Sequence, residues 1–454
     1  MQKTIKNKIQ IKGKGLHTGA MVTMILLPAP IDTGINFQRI DLTNEPYIKA
    51  IVENINNTNR RTVLEKNGAI VETVEHLLAT LFALSIDNLI IKIDGPEIPI
   101  LDGSAKIFFE KIEKAGIMSQ DAIEKSVELL NYFKVENKED NSSIEFYPHN
   151  KLEIEVSIDY HSESLLPQNA KLNKLTDFKE KISSARTFCF LHELNYLINH
   201  NLIKGGDVNN GVVFIERDTS IHEVNHLKEL LPKNIKTLKK GVLHNKEMLL
   251  ENEQAKHKLL DLIGDISLIG VKLKGKIIAH KPGHTINTLF AQKIQSEIKK
   301  QNNMMKGKPL MNIDDIKKIL PHREPFLFID EIRELENSQV TGVKYVNSNE
   351  YYFEGHFPGA PVMPGVLQIE AMAQTGGILA LNSVPDPENY LTYFMKIDNV
   401  KFKQKVEPNC TLIFKLQLLS PIRRGICHMQ GRAYVNNELV TEAELMAKIV
   451  KEKE

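Results

Sequence analysis

His257 and Asp261 stand four apart in the run His-Lys-Leu-Leu-Asp, and an imidazole and a carboxylate at that spacing project from one face of a helix. Such a pair is half of a metal site. Ala255 to Gly264 carries apolar Leu259, Leu260, Leu262 and Ile263 with no proline inside it, so a helix is the predicted local state. Spacing alone favours a solvated polar face, and a third ligand has to come from elsewhere. Upstream, Val71 to Leu84 has an apolar helix pattern interrupted by adjacent Glu75 and His76. Polar groups in such surroundings are partnered or functional.

Composition frames what can position these residues. A chain of 454 residues supports about two to four domains, each with its own core. Hydrophobic content of 42% and charged content of 25% are those of a soluble globular protein, and a net charge of +1 supplies no field toward nucleic acid. Cys189, Cys410 and Cys427 lack metal or redox spacing, which fits a reducing compartment. No segment approaches the roughly eighteen uninterrupted apolar residues of a membrane span, and the N-terminus lacks the apolar run of a signal peptide. A cytoplasmic enzyme is expected.

Residues 1 to 125 and 126 to 300 read as two similar units in which short strands precede a helix, a strand and a further helix. The strands include Val22 to Leu27, Tyr47 to Val52, Asn88 to Ile93, Gly211 to Ile215 and Val271 to Ala279. Helices are predicted from about Ala105 to Ala115 and from about 187 to 200. Residues 301 to 309 are polar and read as a linker. The remainder, 310 to 454, combines a short amphipathic helix from Met311 to Leu320, strands, one helix from Gly365 to about Asn382, and three more strand-like runs. That is a separate α+β domain.

Six motifs follow one another along the first three hundred residues: Gly-Leu-His-Thr-Gly at 15 to 19, Thr-Val-Glu-His-Leu-Leu-Ala at 73 to 79, Leu-Asp-Gly-Ser-Ala at 101 to 105, Ala-Arg-Thr-Phe at 185 to 188, His-Lys-Leu-Leu-Asp at 257 to 261 and Gly-His-Thr-Ile-Asn at 283 to 287. In kind and order they resemble the zinc-dependent UDP-3-O-acyl-N-acetylglucosamine deacetylases, the LpxC family. The resemblance implies two similar α/β sandwich subdomains. It implies that His76, His257 and Asp261 hold Zn²⁺ with one position left for water, and that Glu75 takes the water proton as general base. His284 would be the opposing acid or a cationic stabiliser, oriented by Asp265. Thr187 would help stabilise the tetrahedral oxyanion, and Phe188 and Lys258 would contact the sugar. Leu191 and Leu194 would line an apolar passage for the acyl chain, although leucines one turn apart serve equally as plain core. Leu250 to Lys256 departs from the family pattern, which leaves substrate contacts from that loop open. For His17 a turn role, and for His280 a strand position near the site, stand beside catalysis.

The last domain carries its own constellation. Gly355-His356-Phe357-Pro358-Gly359 leads through Pro364-Gly365 to Glu370 and Gln374, and Leu320-Pro321-His322-Arg323 lies at the domain start. These resemble the hot-dog-fold 3-hydroxyacyl-[acyl-carrier-protein] dehydratases, the FabZ family. Loss of water from a 3-hydroxyacyl thioester needs a base for the α proton and an acid for the leaving hydroxyl. His356 fits the first role and Glu370 the second. The backbone N–H of Gly365, with the helix dipole, could polarise the thioester carbonyl. His322 reads as structural. Glutamate at 370 favours the dehydratase that does not isomerise. Sites of this family form between subunits, so His356 and Glu370 would come from different chains of a homo-oligomer. Lys396, Lys401, Lys403, Arg423 and Arg424 are candidates for docking an acidic carrier protein.

One chain with two enzymes follows. The first half would release acetate from UDP-3-O-(3-hydroxyacyl)-N-acetylglucosamine, and the second would convert (3R)-hydroxyacyl carrier protein to the trans-2-enoyl form. The rival readings are a metal-free acyl-sugar-binding regulatory module in the first half, and a hot-dog thioesterase in the second.

Overall fold

The computed structural model of the protein describes residues 1–129, 131–149, 151–200, 203–207, 209–219, 225, 239–243, 247–304, 306–436 and 438–452. The chain divides into two compact units, Met1–Ser126 with Asn131–Glu297, and Val127–Leu130 with Ile298–Glu454.

In the first unit two sheets repeat one strand order. One runs Ile9–Lys14, Met21–Pro28, Leu89–Ile93, Ile35–Arg39, Tyr47–Lys49, and the other runs Phe133–Asn137, Ser142–Tyr147, Lys272–His280, Leu152–Ile158, Gln168–Leu172. In each, the strand that comes last in sequence enters the middle, pairs parallel with the third strand and antiparallel with the second. Burial alternates along these central strands, with Leu89, Ile91 and Ile93 in one and Leu273, Ile277 and Ala279 in the other turned to the core. The helix Glu253–Ser267 lies on the second sheet and against the helix Glu75–Ala83. These two helices touch backbone to backbone. A Cβ added at Gly264 would overlap the carbonyl oxygen of Glu75, so glycine there brings the first turn of one helix onto the last turn of the other.

The predicted helix over Val71 to Leu84 begins only at Glu75. Ala69–Glu72 is instead a strand paired with Val63–Lys66, and Thr73 turns the chain with a φ of 58°. The segment read as one helix from 187 to 200 divides into the strand Phe188–Phe190 and the helix Leu191–Asn199. His284–Met304 is one continuous helix that runs into residues read as linker.

The second unit is a six-stranded antiparallel sheet in the order Glu331–Leu335, Gln339–Val346, Cys410–Leu418, Ile426–Val435, Glu438–Lys451, Tyr390–Phe402. Four strands, not three, follow its helix Gly365–Leu381 in sequence. That helix is buried almost all round from Ala371 to Leu381, as a helix enclosed by a sheet must be. Gly431 admits it, since a Cβ there would collide with the Met372 side chain. The short helix Ile313–Ile319 opens on a capping box made by Asn312 and Asp315. Among the described residues no helix is long and apolar enough to cross a membrane.

Candidate active sites

The Gly264 contact brings Glu75 and His76, in the first turn of one helix, against His257 and Asp261 of the other. His76 Nε2 lies 3.7 Å and His257 Nε2 3.4 Å from Asp261 Oδ1, and the two rings meet edge to face at 5.1 Å. All three residues are buried, and among the described residues Asp261 Oδ1 has no hydrogen-bond partner. His257 Nδ1 donates to the Ala185 carbonyl at 3.0 Å, which leaves the Nε2 lone pair facing Asp261. Burial pushes His257 down to about 4, against the attraction of Asp261, so the ring is neutral, as a metal ligand must be. Burial by itself would raise Asp261, but the Lys258 ammonium holds its carboxyl well below the usual range. An imidazole nitrogen from each histidine and an unsatisfied carboxylate oxygen form a group that could hold a metal ion, and three protein ligands are the number a catalytic site uses when it keeps one position open.

Glu75 and His284 stand beside this cluster, with 3.9 Å between Oε1 and Nε2. Burial pushes the Glu75 carboxyl up, with His284 and His76 pulling it back. Upward is the direction a general base needs to work near neutral pH. His284 Nδ1 donates to Asp265 Oδ2 at 2.9 Å. Burial alone would lower His284, but Asp265 and Glu75 raise it to about 9, which keeps the ring cationic at neutral pH.

These groups open into a cleft of about 640 Å³, whose walls include Thr187, Phe188 and Lys258. Lys258 Nζ sits 5.7 Å from the centre of the Phe188 ring and donates to Asp261 Oδ2 at 3.1 Å. Thr187 is fixed by its backbone, donating to Gly103 and accepting from Val212, both at 2.8 Å. Leu191 and Leu194 line an adjoining, mainly apolar cavity that shares Thr187 and Phe188 with the cleft. Of the histidines left open by sequence, His17 borders both cavities. His280 lies on its strand with Nδ1 3.1 Å from Ser157 Oγ.

Sequence reasoning missed the residues that hold this arrangement. Thr62 donates its N–H to Glu75 Oε2 at 3.2 Å and its hydroxyl to Asp265 Oδ1 at 2.5 Å, tying base to orienter. Asn287, inside the last motif, donates to Asp265 Oδ2 at 2.8 Å. Arg186 and Glu253 form a buried two-pronged pair, with 2.6 Å from Nε to Oε1 and 3.0 Å from Nη2 to Oε2, and so pin Thr187 to the helix that carries His257.

Glu97 is a fourth. It is fully buried and accepts from His17 N at 2.9 Å, Thr18 N at 2.8 Å, Thr18 Oγ1 at 2.7 Å and Thr73 Oγ1 at 3.0 Å. One carboxylate thereby joins the His17 loop to the turn that launches Glu75. Glu97→Ala strands these donors and is expected to cost about 3 kcal/mol, read as an earlier unfolding transition in urea. An unchanged midpoint would mean that the two loops hold themselves.

In the second unit the proposed pair does not line one cavity. Glu370 lines a cavity with His322, Gln374 and Thr392, whereas His356 and Gly365 are not among the residues lining it. His356 Nδ1 donates to the Val362 carbonyl at 2.8 Å, which leaves Nε2 as the basic atom. Gln374 donates to Glu370 Oε1 at 2.9 Å and to the Phe326 carbonyl at 2.8 Å. His322, read as structural, has Nε2 3.6 Å from Glu370 Oε1. Three of the five candidate docking cations are already in ion pairs, Lys396 with Asp398 and both Lys401 and Lys403 with Glu442.

Comparison with known proteins covers both units. A family model for LpxC, UDP-3-O-acyl N-acetylglycosamine deacetylase, matches residues 2–296, and one for a FabA-like domain matches residues 320–444. A "Bifunctional enzyme LpxC/FabZ" of Bacteroides thetaiotaomicron is 45% identical, with 100% of this chain aligned to 99% of the relative. One of Porphyromonas gingivalis is 43% identical over the same shares. A UDP-3-O-acyl-N-acetylglucosamine deacetylase of Saccharophagus degradans is 37% identical across 63% of this chain and 87% of its own length. Full-length identity at that level, with a family model matching each half, means that this protein belongs to the bifunctional LpxC/FabZ family.

Proposed function

We propose that the first unit hydrolyses the acetamide of UDP-3-O-(3-hydroxyacyl)-N-acetylglucosamine at a zinc ion held by His76, His257 and Asp261, and that the second dehydrates (3R)-hydroxyacyl carrier protein to the trans-2-enoyl form. The observation that carries the first assignment is the unpartnered, buried Asp261 Oδ1 between two imidazole nitrogens, with Glu75 and His284 alongside. Zinc there would polarise the amide carbonyl and acidify water. Glu75 takes a proton as water adds to the carbonyl carbon. His284, kept cationic by Asp265, stabilises the oxyanion with Thr187. The C–N bond then breaks as Glu75 passes the proton it took from water to the leaving amine, and acetate is released. Phe188 and Lys258 hold the sugar, and Leu191 and Leu194 take the acyl chain.

In the second reaction His356 Nε2 removes the α proton, Glu370 protonates the 3-hydroxyl as it leaves as water, and the Gly365 N–H binds the thioester oxygen. The two side chains meet when a second copy supplies one of them. The edge strand Tyr390–Phe402 exposes Tyr393, Phe394, Met395, Ile397 and Phe402, an apolar edge suited to pairing with another chain. We place the enzyme in the cytoplasm, whose reducing conditions suit three free thiols.

Acetate release by the purified full chain tests the first assignment. Chelation is expected to abolish it, leave dehydration intact, and be reversed by added zinc. Acetate release undiminished in metal-free protein would overturn the metal assignment, and zinc-loaded protein that dehydrates but releases none would make the first unit a binding module.

A further inference from the structure

The metal cleft and the apolar cavity of the first unit meet at a small shared wall: Leu16, His17, Arg60, Thr187 and Phe188. Among the described residues lining the apolar cavity, Arg60 is the one arginine or lysine. The Arg60 side chain is 39% exposed, so its charge is solvated in the open cleft and becomes costly only when a ligand covers it without pairing it. Arg60 is half paired. Its Nη2 donates to Glu193 Oε1 at 3.1 Å, and Glu193 Oε2 is itself held by the Phe190 N–H at 3.0 Å. Glu193 therefore fixes one prong of the guanidinium from the helix that also supplies Leu191 and Leu194. Arg60 also has a φ of 63°, in the left-handed region that strains a residue with a side chain, and such strain gathers at ligand clamps.

Chemistry identifies what passes this point. An acyl chain running from a sugar at the metal into the apolar cavity crosses the shared wall with its ester end. The ester carbonyl and the 3-hydroxyl are its last polar atoms before plain hydrocarbon. They lie two carbons apart, and both accept hydrogen bonds. A guanidinium presents several N–H donors in one rigid plane and so suits two neighbouring oxygens, which an ammonium does not. We propose that Arg60, steadied by Glu193 at the junction of the two cavities, selects 3-hydroxylated acyl chains by donating to the 3-hydroxyl and the ester carbonyl. The inference rests on the deacetylase reading above. A site built to bond a substrate hydroxyl discriminates strongly against the analogue that lacks it, because its donors are then left unpaired.

The test compares the full chain with Arg60→Ala and Arg60→Lys on substrates carrying a 3-hydroxyacyl or an unsubstituted acyl group of equal length. It also measures binding of the two corresponding free fatty acids by calorimetry. Wild type should favour the hydroxylated form in both measurements by about tenfold or more. Arg60→Ala should erase most of that preference, lowering kcat/KM far more for the hydroxylated substrate than for the unsubstituted one, which loses only the bond to its ester carbonyl, and Arg60→Lys should keep only part of the preference. An equal loss on both substrates, or an intact preference in Arg60→Ala, would overturn the assignment. If turnover is absent in every protein, wild type included, the deacetylase reading falls. The fatty-acid preference, present in wild type and lost in Arg60→Ala or not, would still decide the role of Arg60.

Discussion

Glu75→Gln is expected to lower kcat for acetate release by about 10²- to 10⁴-fold while zinc content and dehydratase activity stay as in wild type. The amide fills the same buried volume, and its oxygen can still accept from the Thr62 N–H that holds Glu75 Oε2 at 3.2 Å. What it cannot do is take a proton. Zinc content separates this loss from collapse of the site, because His76 follows Glu75 directly and any shift of that turn would also cost metal. The partner side of the reaction leaves its own mark. His284, raised to about 9 against burial chiefly by Asp265, must be protonated to act, so activity should fall as pH rises through about 9. Asp265→Asn removes the main raising charge and should move that fall to lower pH. A Glu75→Gln protein of near wild-type kcat would eliminate Glu75 as the base and leave His284 as the group to examine.

How much of this was legible depended on whether a partner lay near in sequence. The His257–Asp261 pair could be read because four residues of helix determine its geometry, and the adjacent Glu75 and His76 stood out because polar groups rarely interrupt such an apolar run. The start of their helix was misread for a related reason. Ala-Ile-Val-Glu at 69 to 72 is as apolar as the helix that follows, and over so few residues periodicity cannot separate a strand from a helix. Nothing local marks the left-handed turn at Thr73. Thr62 and Glu97 were invisible because their importance lies in partners far along the chain. The Thr62 to Asp265 bond spans 203 residues, and Glu97 reaches back to the loop at His17. His322 was read as structural from its proline-bound loop, yet folding sets it beside Glu370. The repeated strand order of the two sheets was visible only as a recurring sequence of elements, since which strand enters the middle is a matter of pairing.

Mixed oligomers of His356→Ala and Glu370→Gln chains are expected to recover about a quarter of wild-type dehydratase activity, although each variant alone should lose at least about 100-fold. Within one chain His356 is oriented by the Val362 carbonyl, while Glu370 faces a different cavity with Gln374 and His322. If a site needs one residue from each chain of a twofold pair, a mixed pair contains one site with both residues intact and one with both replaced. Random assembly makes half of all pairs mixed, and each supplies one of two sites, which gives the quarter. The deacetylase residues are untouched in both variants, so acetate release from the same samples gives an internal measure of folded protein. Activity no greater than the average of the two single variants would place both residues of each site in one chain, and would require a rearrangement that carries His356 to the Glu370 cavity. Recovery near a quarter would mean that the exposed strand Tyr390–Phe402, or another surface of the same domain, joins copies of this chain, and that the dehydratase half makes the whole fusion an oligomer.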